Sequence, residues 1–95
     1  MAYRLSQPAE EDVIQIFLTG AANFGIEQAE RYHDGLEHMF AFLAEHPRAA
    51  RERHELRQRS RVFRYKAHLI FYRRDGEDIF IQRIRHGHED WLSES

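Results

Sequence analysis

Between Arg61 and Asp90 the chain reads RVFRYKAHLIFYRRDGEDIFIQRIRHGHED, and no other stretch limits the possible folds as much. Val62 to Tyr65, Leu69 to Tyr72 and Ile79 to Ile84 are rich in β-branched and aromatic residues, which suit a pleated, half-buried surface. Asp75-Gly76 separates the second run from the third. Glycine takes a positive φ at no steric cost, so the chain can reverse there. The segment predicts a three-stranded antiparallel meander with arginines along its strands.

The first half reads differently. Ala2 to Leu5 is a short candidate strand. Ser6, Gln7 and Pro8 form a helix start, with a capping hydroxyl, a proline in the first turn, and Glu10, Glu11 and Asp12 facing the positive end of the dipole. Ala9, Val13, Ile16, Phe17 and Gly20 share one helix face, with Ile14, Leu18 and Ala21 beside it. Phe24-Gly25 is the expected stop. A second helix is expected from Ile26 to His46, where Pro47 prevents continuation. Its apolar positions are Ala29, Tyr32, Leu36, Phe40 and Leu43, flanked by Met39 and Phe42. A short loop makes the two helices antiparallel neighbours. Strand, helix, helix and then three strands give an α+β fold: an N-terminal strand, and a helical hairpin packed on a small, mainly antiparallel sheet.

Ninety-five residues suit one domain spanning 1–95, with 42% hydrophobic and 32% charged residues and two prolines, a globular composition. Such a chain buries only roughly 60–65% of its unfolded surface, so its stability margin is thin. The absence of cysteine excludes disulfides and thiolate metal sites. No stretch approaches the roughly 20 apolar residues of a membrane span, and the start MAYRLS lacks an apolar leader core. A cytoplasmic protein with no membrane partner is expected. Net charge is −2, yet residues 1–46 hold two basic side chains against eight acidic, and residues 47–95 hold twelve against eight. The chain is electrostatically divided.

Seven arginines fall between Arg48 and Arg64: those two with Arg51, Arg53, Arg57, Arg59 and Arg61. Without clear periodicity before Val62, this segment reads as a loop with one helical turn. Its cations suit three roles: a solvated surface, a phosphate backbone, or an acidic peptide. Guanidinium forks hold carboxylates in bidentate fashion, which favours the acidic partner. Direct nucleic-acid binding is not expected.

A frame of short motifs runs through most of the chain. Tyr3-Arg4-Leu5-Ser6 is followed by Ala9, Asp12, Val13 and Ile16, then Gly25, Gln28, Ala29, Tyr32 and Leu36. Leu43-Ala44-Glu45-His46-Pro47, Leu56-Arg57 with Arg61 and Phe63, Ile70 to Arg73, and Ile81 to Asp90 complete it. In this order and register the chain resembles the ParE toxins of the RelE/ParE superfamily. The resemblance implies a toxin of a type II toxin–antitoxin pair, held in a hetero-oligomer by a ParD-like antitoxin, that poisons DNA gyrase and blocks replication without being an enzyme. The runner-up, implied by the RelE branch of the same superfamily, is a ribosome-dependent mRNA endonuclease. That chemistry needs an acid/base and cations for the phosphorane-like charge; His86, Arg61 and Arg83 are the candidates. With Lys66 its only lysine and Trp91 in its tail where the RelE branch uses tyrosine, the chain fits that branch poorly.

The expected antitoxin surface comprises Ile14, Phe17, Leu18, Met39 and Phe42 with Arg57, Arg61 and Arg83. A surplus of apolar residues on the hairpin suits an amphipathic helix laid in a groove. The expected target surface comprises Arg83, Arg85, His86, Asp90 and Trp91, because tryptophan concentrates binding energy at interfaces. Plainer roles compete: a strand-end His86 bonded to Asp90, and Trp91 as a lid on the core. His86, His88, Glu89 and Asp90 could in principle ligate a metal, with His33 and His38 elsewhere, but metal sites need convergent ligands. No metal or cofactor is expected.

Overall fold

The computed structural model describes residues 2–53 and 60–87. In chain order it contains β1 (Tyr3–Leu5), α1 (Gln7–Phe24), α2 (Ile26–Glu45), β2 (Glu52–Arg53), β3 (Ser60–Tyr65), β4 (His68–Asp75) and β5 (Asp78–His86). The five strands form one sheet in the order β1-β5-β4-β3-β2. All neighbours are antiparallel except β1 and β5, which run parallel from Tyr3↔Ile79 to Leu5↔Ile81.

Ser6 joins the two layers. Its Oγ accepts the Ala9 N–H at 3.0 Å and so caps α1, its hydroxyl donates to the Gln82 carbonyl at 2.7 Å, and its own N–H donates to Ile81 O at 2.9 Å. One residue therefore ends β1, starts α1 and ties both to β5. Gly25, at φ 93°, is the whole connection between the helices. The expected helix boundaries hold to within one residue, α2 ending at Glu45.

The meander is present, with longer strands than the apolar runs alone suggest. Gly76 takes φ 65° at the first position of a two-residue turn between Asp75 and Asp78, the place where a type II′ turn requires glycine. The other turn, Lys66-Ala67 between Tyr65 and His68, contains no glycine. Lys66 adopts φ 52° there, a conformation that costs a non-glycine residue about 1–2 kcal/mol. Its ammonium lies 5.4 and 5.8 Å from the Tyr65 and Tyr32 ring centres, and cation–π attraction offsets part of that cost.

The expected loop with a helical turn before the meander is corrected in one part. Glu52-Arg53 form the edge strand β2, paired as Glu52↔Arg61 and Arg53↔Ser60. Two residues are too few to show a period, and their conformation comes from the partner strand. Residues 54–59, with Arg57 and Arg59, lie outside the described residues.

The main core lies between the hairpin and one face of the sheet. Leu36, Phe40 and Leu43 meet Ile70, Tyr72, Ile79, Ile81 and Ile84, with Val13 and Ile16 of α1 packed alongside. Tyr72 is fully buried; its hydroxyl donates to Pro47 O at 2.9 Å and accepts the Ala50 N–H at 3.3 Å. These bonds pin the segment after α2 onto the sheet. On the opposite face Leu69 and Phe71 form a separate cluster with Val62. No helix among the described residues is long and apolar enough to cross a membrane.

Candidate functional site

The described residues present two surfaces that bear on the expected contacts. The first is a cleft between the outer faces of α1 and α2, lined by Val13, Ile14, Phe17 and Leu18 on one side and Glu30, His33 and Asp34 on the other. Ile14 and Leu18 are 57% and 54% exposed, far beyond what a core-facing stripe leaves open. Phe17 sits edge-on to the His33 ring, centroids 6.3 Å apart, at the floor. Glu27, Glu30 and Asp34 against Arg31 give this cleft an acidic rim. An apolar floor with an acidic rim suits the apolar face of a helix whose flanks are basic, and it does not suit an acidic tail.

Met39 and Phe42 are not part of that cleft. Met39 packs against the core, and Phe42 meets Phe63 of β3 at 6.1 Å and His46 at 4.8 Å. The five apolar residues expected to form one antitoxin groove thus fall into two patches on opposite flanks of α2. Phe24 and Ile26, at the hairpin tip, are 67% and 61% exposed, and neither is among the expected contact residues. Their signal was available: two large apolar residues flanking a glycine turn, where no sheet can reach.

The arginines are distributed with equal consequence. Arg61 donates from Nη1 to Ala50 O at 2.7 Å, fastening the segment that follows α2. Arg83 donates from Nε to Asp12 Oδ2 at 2.8 Å and from Nη2 to Asp12 Oδ1 at 3.0 Å, a bidentate fork. The same Asp12 carboxylate accepts the Ile84 backbone N–H at 2.9 Å, on the edge of β5 that β1 is too short to cover. Asp12, expected as a first-turn carboxylate and a member of the motif frame, takes the further role of holding Arg83. Its signal was its place: three residues after Ala9 and before Val13, on the buried stripe of α1, where a carboxylate needs a partner.

The second surface is the end of the sheet where β5 leaves it. His86 is exposed and stands opposite His68, their rings edge to face at 5.4 Å. Tyr32 shares a hydrogen bond of 2.6 Å with His68 Nδ1, and burial holds its phenol above the ordinary range. Arg85, two strands from Arg64, ends the row Arg64–Leu69–Arg85 on the helix-free face. The expected partner of His86, Asp90, lies outside the described residues, as do Trp91, His88 and Glu89. The nuclease candidates Arg61, Arg83 and His86 are placed apart in role: one arginine on a loop carbonyl, one on Asp12, and the histidine beside a second histidine. The tightest metal-compatible trio among the described residues is His33, Asp34 and Glu37, with ligand atoms within 4.8 Å on one outward stretch of α2. Among the described residues, no second element completes it.

Residues 3–91 match the family described as the ParE toxin of the type II toxin–antitoxin system parDE. The chain belongs to the ParE toxin family. It is 33% identical over 82 residues to toxin ParE3 of Caulobacter vibrioides, covering 86% of this chain and 82% of that one. It is 33% identical over 89 residues to toxin ParE1 of Mycobacterium tuberculosis, covering 93% and 91%. The chromosomal ParDE system of P. aeruginosa contains a chain of the same fold, with a TM-score of 0.77 at 19% identity over 90% of this chain and 95% of that one. Much of the ParE frame read in the sequence proves architectural. Ala9, Ala29 and Leu36 are buried, Asp12 holds Arg83, and Tyr32 ties α2 to the β3–β4 turn through Tyr65 and His68.

Proposed function

We propose that this ParE-family chain acts as a single toxin domain over residues 1–95, is neutralised by a ParD-like antitoxin, and poisons DNA gyrase by binding rather than by catalysis. The observation that carries the antitoxin half is the exposed apolar cleft of Val13, Ile14, Phe17 and Leu18, which a monomer has no reason to leave open. An amphipathic helix with basic flanks fits it. Arg57, outside the described residues, and the arginines of the sheet would serve any acidic part of the same partner. Arg85 and His86, with Asp90 and Trp91 beyond them, form the proposed target surface, and Arg83 supports it from Asp12.

Two features favour binding over RNA cleavage. Arg61 and Arg83 commit guanidinium donors to the Ala50 carbonyl and to the Asp12 carboxylate, and His86 stands edge to face with His68 at the exposed end of β5. Induction of the chain should inhibit gyrase supercoiling in extracts and raise DNA-damage signalling. Primer extension on transcripts after induction should find no codon-positioned cuts; discrete ribosome-dependent cleavages overturn the gyrase reading in favour of an mRNA endonuclease.

A further inference from the structure

His68, the first residue of β4, and His86, the last of β5, are direct cross-strand partners. Residues so paired have Cβ atoms about 4.5–5.5 Å apart, and their side chains meet on one face of the sheet. The ladder is held beyond the pair, because the Gly87 N–H donates to Ala67 O at 2.8 Å. The two imidazoles stand with ring centres 5.4 Å apart and planes at 78°. His68 is half-buried and His86 exposed. Both line a cleft of about 510 Å³ between the sheet end and the hairpin tip, shared with Ala29 and Tyr32 of α2, so a hydrated ion can reach them. Tyr32 fixes one of the rings. Its hydroxyl oxygen lies 2.6 Å from His68 Nδ1 and 3.4 Å from Tyr65 O. A hydroxyl that donates to Tyr65 O accepts from Nδ1–H, and that tautomer puts the His68 lone pair on Nε2.

We propose that His68 and His86 form a two-histidine site for a borderline divalent metal such as Zn²⁺ or Ni²⁺, with His68 bound through Nε2 and Tyr32 orienting it. The spacing fits. With Zn–N about 2.0–2.1 Å, an imidazole centre lies about 3.2 Å from the metal, so two tetrahedral ligands have ring centres about 5.2 Å apart. The observed 5.4 Å needs little adjustment. The bond to Tyr32 is the kind that ligating histidines carry, one ring nitrogen held by a polar group and the other given to the metal. Imidazole suits Zn²⁺, Ni²⁺ and Cu²⁺, whereas Mg²⁺ and Ca²⁺ take oxygen. Convergence comes here from strand pairing, not from neighbouring positions in the sequence. Two histidines leave coordination positions for water or for one donor from a partner. Lys66, whose ammonium lies 5.8 Å from the Tyr32 ring centre, opposes a cation nearby and holds the affinity down. The inference stands on the end of the sheet and is independent of which target the toxin meets.

The chain has no cysteine, so metal titrations carry no thiolate background. Calorimetry of the full chain with zinc chloride or nickel chloride should show saturable binding, and magnesium chloride should show none. His68→Gln and His86→Gln should each abolish it while leaving the far-ultraviolet dichroism unchanged. Tyr32→Phe should weaken it about tenfold. His88→Gln, outside the described residues, should leave it unchanged. In the unsubstituted chain, Zn²⁺ should shift the nitrogen-15 resonances of His68 Nε2 and of one His86 ring nitrogen together, a readout that needs no variant to fold. Binding that survives His68→Gln overturns the proposal; if it is lost instead with His88→Gln, the metal sits on the HGHED run. A Zn²⁺-induced shift confined to His86 overturns it equally.

Discussion

Asp12 on α1 and Arg83 on β5 stand 71 residues apart in sequence and are joined by two hydrogen bonds, with the Ile84 N–H as a third claim on the same carboxylate. The Asp12 side chain is only 16% exposed. Replacing it by alanine leaves a guanidinium and an edge N–H without their acceptor. Between the values for surface and buried pairs, that should cost about 2–3 kcal/mol. Asp12→Asn keeps one acceptor and should cost less. Urea unfolding of the three proteins checks the order, and equal midpoints would show the fork to be dispensable.

Gly35, in the middle of α2, lets Tyr65 lie against the helix backbone. A Cβ there would overlap the Tyr65 hydroxyl and stand 2.9 Å from its Cζ. Elsewhere in an exposed helix, Gly→Ala gains about 1 kcal/mol. Here the sign should reverse, with Gly35→Ala lowering stability by about 1–3 kcal/mol through overpacking. Tyr65→Phe in the same background should recover part of the loss. Thermal melts of the single and double variants measure it.

Alkaline stability should depend on the buried phenols. Burial is the main reason the Tyr72 phenol is held above its ordinary value of 10.0, with the Ala50 N–H and Arg61 acting against it. Above pH 10 the unfolded chain releases a proton that the native Tyr72 retains, so stability is full below that pH and falls as pH rises toward the native value. Tyr32 and Tyr3 are raised for the same first reason and add to the slope. Tyr72→Phe should flatten the decline between pH 10 and the native phenol value, at the expense of the bonds to Pro47 and Ala50. Denaturant titrations across pH 8–11 would reveal a slope unchanged by the substitution if this assignment is wrong.

For the antitoxin, Leu18 is the discriminating position, because it is exposed and lines the cleft. Leu18→Glu should leave the melting temperature within a degree or two and weaken antitoxin binding by roughly 2 kcal/mol, about 30-fold in Kd. Phe42→Glu, on the other flank of α2, should spare the affinity if the partner helix occupies the cleft alone. Calorimetric titration of each variant decides between one patch and two.

A chain ending after Gly87 keeps every described contact of the main core. It should fold cooperatively with a lowered midpoint, still bind antitoxin, and lose toxicity. Growth assays, calorimetry and thermal unfolding separate the three outcomes. Retained toxicity would move the target surface onto the hairpin.

Much of the architecture is legible in the linear order because its signals are local. Ser6 with Pro8, Gly25 and Pro47 punctuate the helices, and alternating β-branched and aromatic residues mark the strands. What escapes is whatever a distant partner decides. Glu52-Arg53 become a strand only beside Arg61 and Ser60, and Lys66 takes a left-handed turn because Tyr65 and His68 are already paired. Arg61 and Arg83 read in the sequence as contact residues for a partner, since nothing near them in sequence foretells their bonds to Ala50 and Asp12. The split of Ile14, Phe17 and Leu18 from Met39 and Phe42 depends on how α2 is rotated against the sheet, a rotation that the apolar spacing leaves open over neighbouring faces.

The placement of β5 has a consequence for how the toxin is made. This last strand lies between the first strand and the rest of the sheet, and β1, Ser6 and Asp12 all find their partners on it, more than 70 residues away. A nascent chain that stops short of β5 has no neighbour for β1, and α1 is left with α2 alone, without the strand it packs on. At translation speeds of 5–20 residues per second, the first 86 residues take roughly 4–17 s to emerge. Through that interval the ribosome carries a polypeptide with no finished surface to present. A broken message therefore yields no partial poison: the molecule acquires its shape, and with it any harmful activity, only when it is all but complete.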